Sequence, residues 1–410
     1  MLKRLLTFSI ITLALVSSSC EKDTRPQEQS NEVNPITISA AAANSLTDFS
    51  FDFFKKLQED KEIKTAKNIF VSPLSLHMAL AMLVNGAEES TKTQMLEAMK
   101  ATSLGLNELN EAHKKLLKEL PEADRKVILA LANSIWYKNT FEVKNTFLAD
   151  VKNFYNAKVT ALPFVEEDLA TINQWASDNT NGKIPKVLSE IHPDHVMFLM
   201  NALYFKGDWK NEFKPGDTKD EAFMSDNGTR KTVKMMNMKD TMHYANFDKY
   251  EIAQKSYGNS QFIASFILPK SGNTLSDVFS DMTTDKWKDV LNKTRRYEVN
   301  FGLPKFTFSG EYMLNNTLKR MGITDAFEEH KANFNNLSSA RTRIKIDFVK
   351  QNTYVGIDEK GTEAAAVTTI GMIITSMPQI VEFKCNKPFG IIISERTSGT
   401  ILFMGKIMNP

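Results

Sequence analysis

Between Lys360 and Glu382 the chain carries a single charge, Glu363, and that emptiness constrains the fold more than any other feature. A surface connection is expected to be polar. Residues 361–378 are instead small and β-branched, like a strand that can be buried. Alternate positions give Thr362, Ala364, Ala366, Thr368, Ile370, Met372 and Ile374, a face small at first and apolar later. The opposite face begins with Glu363 and can stay in solvent. An internal strand is the plainer reading, but the uncharged run exceeds ordinary strand length. Three consecutive alanines, Ala364, Ala365 and Ala366, also have poor strand propensity. The segment reads as an exposed loop with the composition of a buried strand.

The rest of the chain is ample for a large core, with 410 residues of which 42% are hydrophobic. Its start is not part of the fold. Lys3 and Arg4 precede an apolar stretch over residues 5–16, and Ser17-Ser18-Ser19-Cys20 supplies a small-residue cleavage site. Residues 1–19 are therefore expected to be a secretory signal, too short to span a bilayer. The Cys at its end resembles the bacterial lipobox, which implies lipidation of Cys20, although Ser17 stands where a lipobox usually carries Leu. Cleavage by the ordinary signal peptidase is the alternative. The acidic run Cys20-Glu21-Lys22-Asp23 resembles the tether of surface-exposed lipoproteins. Cell-envelope localisation follows, as an outer-membrane lipoprotein exposed at the surface. Residues 20–44 read as the lipidated Cys and a flexible polar tether, and residues 45–410 as one domain.

Loss of Lys3 and Arg4 takes 51 basic residues to 49, against 49 acidic ones. That balance, without any basic block interleaved with aromatics, predicts no nucleic-acid partner. Leu46, Phe49, Phe53, Phe54 and Leu57 are spaced like one face of a helix. Ser72 and Pro73 read as an N-cap followed by Pro at the first helical position, with Gly86 ending that helix. Residues 262–268, the alternating Ile344, Ile346 and Phe348, and the two runs flanking Arg396-Thr397-Ser398-Gly399 read as strands.

An enzyme needs a constellation of chemical groups, and none is found. The six His residues (His77, His113, His192, His195, His243 and His330) include no metal-binding helix motif. The one close pair, His192-Pro193-Asp194-His195, reads as a loop, and no Cys pair completes a metal site. There is no nucleophile elbow, phosphate-cradling loop or dinucleotide fingerprint. Cys385, free once Cys20 is modified, reads as a buried strand residue rather than a nucleophile. Neither a metal nor a cofactor is expected, and the chain is read as a non-enzyme.

The segment Glu359-Lys360-Gly361-Thr362-Glu363-Ala364-Ala365-Ala366 resembles the hinge of the serpin family of protease inhibitors, and further serpin-like motifs follow in order. Residues 68–75, including Asn68, Ser72 and Ser75, resemble the shutter at the start of the second helix. Residues 201–209 are similar to the strand leading to the breach, with Asn201 in the shutter and Trp209 in the breach. Residues 303–306, 318–327, 386–389 and 403–410 match later blocks. Where the family commonly places a shutter His, this chain has Gln351, which can still exchange hydrogen bonds with Asn201 and Ser72. That replacement puts a titrating shutter in doubt. The resemblance implies an α+β serpin fold with three β-sheets, eight or nine helices and an exposed reactive loop. It also implies a monomer whose partners are target proteases, held covalently.

In that mechanism the protease nucleophile forms an acyl-enzyme with the loop, and the cleaved loop enters the main sheet as a new strand. Each backbone hydrogen bond so made contributes roughly 1 kcal/mol. Burial of Ile370, Met372 and Ile374 adds roughly 1.5–3 kcal/mol apiece. Small residues at the hinge favour an inhibitor over the alternative, a non-inhibitory serpin that acts as a binding protein. Counting fourteen residues from Gly361 places the scissile bond at Thr375-Ser376, whereas counting back from Pro388-Phe389 favours Met377-Pro378. The hinge count is preferred, because it fixes the insertion length. No Lys or Arg lies between Gly361 and Phe383, so trypsin-like enzymes have no good site. Elastase-like, subtilisin-like or chymotrypsin-like serine proteases fit better, with papain-like cysteine proteases as a further class.

Overall fold

A computed structural model of the chain describes residues 33–63, 68–340, 344–362 and 380–410. The signal segment, Cys20, the hinge residues Glu363 to Ala366 and both proposed cleavage sites (Thr375, Ser376, Met377 and Pro378) lie outside the described residues.

Helix α1 (Ala40–Gln58) starts where Ser39 Oγ accepts the Ala42 amide at 3.1 Å. It starts earlier than the tether expected over residues 20–44 allows, because Ala40 to Ala43 are good helix formers. From Val33 onward the chain is tied down: Ile36 is buried, and its amide donates to Thr397 Oγ1 at 2.8 Å. Strand β1 (Asn68–Val71) leads into α2 (Pro73–Gly86), whose cap is Ser72 Oγ accepting the Ser75 amide at 3.1 Å. Then come α3 (Glu89–Ala98), α4 (Leu106–Glu119), β2 (Val127–Lys138), α5 (Asn145–Tyr155), β3 (Lys158–Leu162) and α6 (Asp168–Asn179). The middle of the chain is β-rich: β4 (Met197–Asp208), β5 (Thr218–Met224), β6 (Arg230–Asn246), β7 (Tyr250–Ser256) and β8 (Phe262–Pro269). Two short helices, α7 (Leu275–Asp281) and α8 (Thr284–Lys293), precede β9 (Arg295–Pro304), β10 (Phe306–Met313) and α9 (Asn315–Arg320). The chain closes with β11 (Lys350–Ile357), β12 (Gly361–Thr362), β13 (Ile380–Lys384), β14 (Phe389–Glu395) and β15 (Ile401–Ile407).

Among the described residues this is an α+β fold of nine α-helices and three sheets, as expected. The largest sheet runs β1-β15-β14-β8-β7-β6-β9-β13, with β5 added on β6. Strands β14 and β15 are buried along their whole length, so both faces must be apolar. On one face Ile392 and Met404 join Phe53, Phe54 and Leu80 of the helices. On the other, Phe403 stacks on Phe70 at 5.0 Å. Gly405 makes that stack possible, since a Cβ there would lie 2.7 Å from the Phe70 ring.

The second sheet, β12-β4-β2-β3, and the third, β10-β11, face each other across a gap. Strand β4 pairs with β2 over eleven positions, Met197 to Gly207. Between it and β11 no ladder forms among the described residues, and a slot of about 860 Å³ lies there, lined by Ser75, Met200, Asn201, Val349, Gln351 and Asn352 among others. Residues 344–349, expected to be strand, are not. Pairing of β11 with β10 ends at Lys350 opposite Met313, and the Ile346 amide turns away to Ala326 O at 2.8 Å. The apolar alternation there serves packing without a ladder.

Candidate functional site

The hinge lies further along β4, past the residues that line the slot, where Gly361 and Thr362 pair with Asp208 and Gly207. Asp358 makes its turn, accepting the amides of Lys360 and Gly361 on Oδ1 at 3.0 and 3.2 Å. Glu359 accepts from Thr218 Oγ1 at 2.9 Å and from Lys305 Nζ at 2.7 Å. Burial pushes the Glu359 carboxyl up, but the hydrogen bonds from Lys305, its own backbone and Thr218 outweigh it and hold the group below the usual carboxylate range. Gly361 then stands opposite Asp208 and Thr362 opposite Gly207, antiparallel to β4. A Cβ on Gly361 would lie 2.1 Å from Gly207 O, so only glycine lets the two backbones approach.

Three carbonyls of the hinge are held by two aromatic residues. The Trp209 amide donates to Lys360 O at 2.7 Å and its indole Nε1 to Asp358 O at 3.1 Å, while the Phe213 amide donates to Glu359 O at 2.8 Å. Trp209 stacks on Tyr257 at 4.3 Å, and Tyr257 OH lies 2.9 Å from Thr362 Oγ1. Beneath them Lys255 Nζ lies 5.4 Å from the Trp209 ring and 4.8 Å from the Phe213 ring. It donates to Asn211 O at 2.6 Å, with Asp240 4.0 Å away. Burial brings its pKa down to about 8, opposed by Asp240. The sequence reading found Trp209, and Lys305 as part of the motif at residues 303–306, but not Lys255, Tyr257 or Phe213. They come from strands and loops remote in sequence, and nothing local marks them.

The shutter residues Ser75, Asn201 and Gln351 line the slot. Gln351 holds both backbone groups of Ser72: its Oε1 accepts from Ser72 N and its Nε2 donates to Ser72 O, each at 2.9 Å. Asn201 is engaged elsewhere, bonded to Ser75 Oγ and donating to Asn133 Oδ1 at 2.6 Å. The expected exchange between Gln351 and Asn201 is replaced by these partners. Asn68 ties the start of β1 to the last residues, accepting from Met408 N and Asn409 N at 2.9 Å each. Asn133 connects the shutter to a buried polar core behind it, donating to Tyr155 O at 2.8 Å. There Tyr155 OH donates to Asn110 Oδ1 at 2.6 Å, and His113 Nδ1 lies 3.4 Å from the same hydroxyl. His113 Nε2 meets His77 Nδ1 at 2.9 Å, and both rings are fully buried. Burial lowers the His77 pKa to about 4 and that of His113 well below the ordinary value. Cys385 is buried and its thiol is pushed up by burial, so it remains protonated.

The docked hinge and the open slot beside β4 thus belong to one three-sheet α+β fold. The chain belongs to the serpin (serine protease inhibitor) family, whose profile it matches over residues 44–410. It is 32% identical to an uncharacterized serpin-like protein of Methanosarcina acetivorans, with 90% of this chain and 86% of that one aligned. To human serpin B10 it is 31% identical, covering 90% and 99%. Among solved structures it resembles the thermophilic serpin tengpin in its native state, with a TM-score of 0.83 at 30% identity over 92% and 96% of the two chains. Human thyroxine-binding globulin complexed with its ligand is also similar, at TM-score 0.81 and 29% identity over 90% and 98%.

Proposed function

We propose that this chain is a suicide-substrate inhibitor of serine endopeptidases, and also of cysteine endopeptidases. It traps the acyl-enzyme by inserting its cleaved loop between β4 and β11. One observation carries the reading: Thr362, the first loop residue, is already paired antiparallel with β4, and further along the same strand Met197 to Ala202 line an unfilled slot. The absence of Lys and Arg from the loop supports elastase-like, subtilisin-like and chymotrypsin-like targets over trypsin-like ones. The bond cut is Thr375-Ser376. The protein acts as a monomer, anchored through lipid on Cys20 to the cell envelope and exposed at the surface. Lys3, Arg4, the apolar stretch and Cys20 support that placement, and fatty-acid labelling lost in Cys20→Ser checks it.

The decisive experiment is a denaturing gel of the purified protein with an elastase-type enzyme and with trypsin. An SDS-stable complex with the first and none with the second is expected. A trypsin complex mapping within the loop overturns the target class. Simple cleavage by every protease, with no stable complex, overturns inhibition in favour of a binding protein, a role held by the similar thyroxine-binding globulin.

A further inference from the structure

Far from the hinge, the segments leading into β4 and β11 meet. His195 Nε2 lies 3.2 Å from Asp347 Oδ2, and the His192 amide donates to His195 Nδ1 at 3.1 Å. With Nδ1 occupied as an acceptor, the ring proton sits on Nε2 and points at the carboxylate. The imidazole packs edge-on against Phe198 at 5.1 Å and Phe348 at 5.9 Å, and those two rings lie 6.0 Å apart. Each segment is anchored from its own side. Lys138 Nζ donates to Pro193 O at 3.0 Å, and Asn315 Nδ2 donates to Asp347 O at 2.7 Å. Among these contacts, the hydrogen bond and the aromatic cluster are what span the gap.

The register of the hinge gives this contact a meaning. Gly361 stands opposite Asp208 and Thr362 opposite Gly207. If an inserted loop continues in step, antiparallel partners diverge by one residue each, so Ile374 falls opposite His195 and Thr375 opposite Asp194. The residue proposed for cleavage thus arrives at the level of the contact just as insertion completes.

We propose that His195 and Asp347 form a latch across the far end of the slot, which the cleaved loop must open to seat its last two residues. The inference rests on the trapping mechanism above. Both are positioning residues: they touch neither the protease nor the scissile bond, and they act on the final stage of insertion. In the intact protein the same latch opposes spontaneous insertion of the uncleaved loop.

The test uses the full chain as wild type, Asp347→Ala and Asp347→Asn, the last keeping an acceptor oxygen. Two rates are followed: conversion of intact protein to a heat-resistant, loop-inserted form, and appearance of heat resistance after loop cleavage by elastase. Asp347→Ala is expected to raise both by about threefold to tenfold, the range for one side-chain hydrogen bond. Asp347→Asn should stay within about twofold of wild type, and the rate of cleavage itself should be the same in all three. Lower thermal stability of Asp347→Ala with both insertion rates unchanged makes the contact merely structural and overturns the latch, as does equal acceleration in the Asn and Ala variants. If cleaved wild type gains no heat resistance, the trapping mechanism fails and the latch with it. If wild type gains it and Asp347→Ala keeps pace, the latch alone fails.

Discussion

Strands β14 and β4 are both apolar and both central to their sheets, yet they are bonded differently. Strand β14 has full ladders on each side, to β15 and to β8, and every one of its residues is buried. Strand β4 is paired with β2 from Met197 to Gly207, but on its other edge, among the described residues, only Asp208 and Gly207 have ladder partners, in the hinge. Leu199, Met200 and Asn201 along that edge are only half-buried. The nine-stranded sheet has made its bonds. The divided sheet withholds a strand's worth of them, at roughly 1 kcal/mol each, and that reserve is what an inserting loop would draw on.

The comparison predicts unequal responses to damage. The largest belongs to the closed sheet: Phe403→Ala leaves a cavity beside Phe70 and should cost about 3–5 kcal/mol in denaturant unfolding. A small loss there would mean that the closed sheet is as loose as the open one. Acid comes next, acting behind the divided sheet. His77 and His113 are neutral when folded, while unfolded His takes up protons below about pH 6.5. Stability is therefore full above that pH and falls as pH drops, by about 3 kcal/mol for His77 alone near pH 4. Thermal unfolding measured against pH checks this, and His77→Gln should flatten the slope. Thr362→Arg places a charge in the buried step beside Tyr257. It should raise the ratio of cleaved to trapped inhibitor at least about tenfold, equivalent to roughly 1.4 kcal/mol. Undiminished trapping in that variant would contradict insertion from the hinge. Smallest is Gln351→Ala, which frees both Ser72 backbone groups beside a slot that water can enter. A loss of about 1 kcal/mol in unfolding is expected.

Much of the fold was legible because its signals are local. The Ser72 cap, the helix from Pro73 to Gly86 and the hairpin around Gly399 each depend on neighbours a few residues away. Motif order supplied the family. The alternation at Ile344, Ile346 and Phe348 misled, because period-two apolarity reports burial on one face and not the presence of a ladder partner. The tether was read too long because polar composition hid the buried Ile36 and a run of helix-forming alanines. At the site, Trp209, Asn201 and Ser75 could be located by motif, but Tyr257, Lys255 and Asn133 could not. Lys255 supports Trp209 from another strand, and His195 meets Asp347 across 152 positions of sequence. Pairs of that kind become visible only once the chain is folded. The replacement of a shutter His by Gln351 pointed away from pH sensing, yet the buried His pair stands just behind the shutter, reached through Asn133 and Tyr155.

The clamp between Asn68 and the backbone at Met408 and Asn409 has a consequence in time. Strand β1 is among the first strands made and β15 the last, and they are neighbours in the same sheet, with Ile69 opposite Lys406. At about 5–20 residues per second, synthesis separates them by roughly twenty seconds to a minute. Until then β1 lacks its partner β15 and β8 its partner β14, and β1 is cut off from the rest of the largest sheet. A newborn chain of this design cannot close its largest sheet until its final strand has been made.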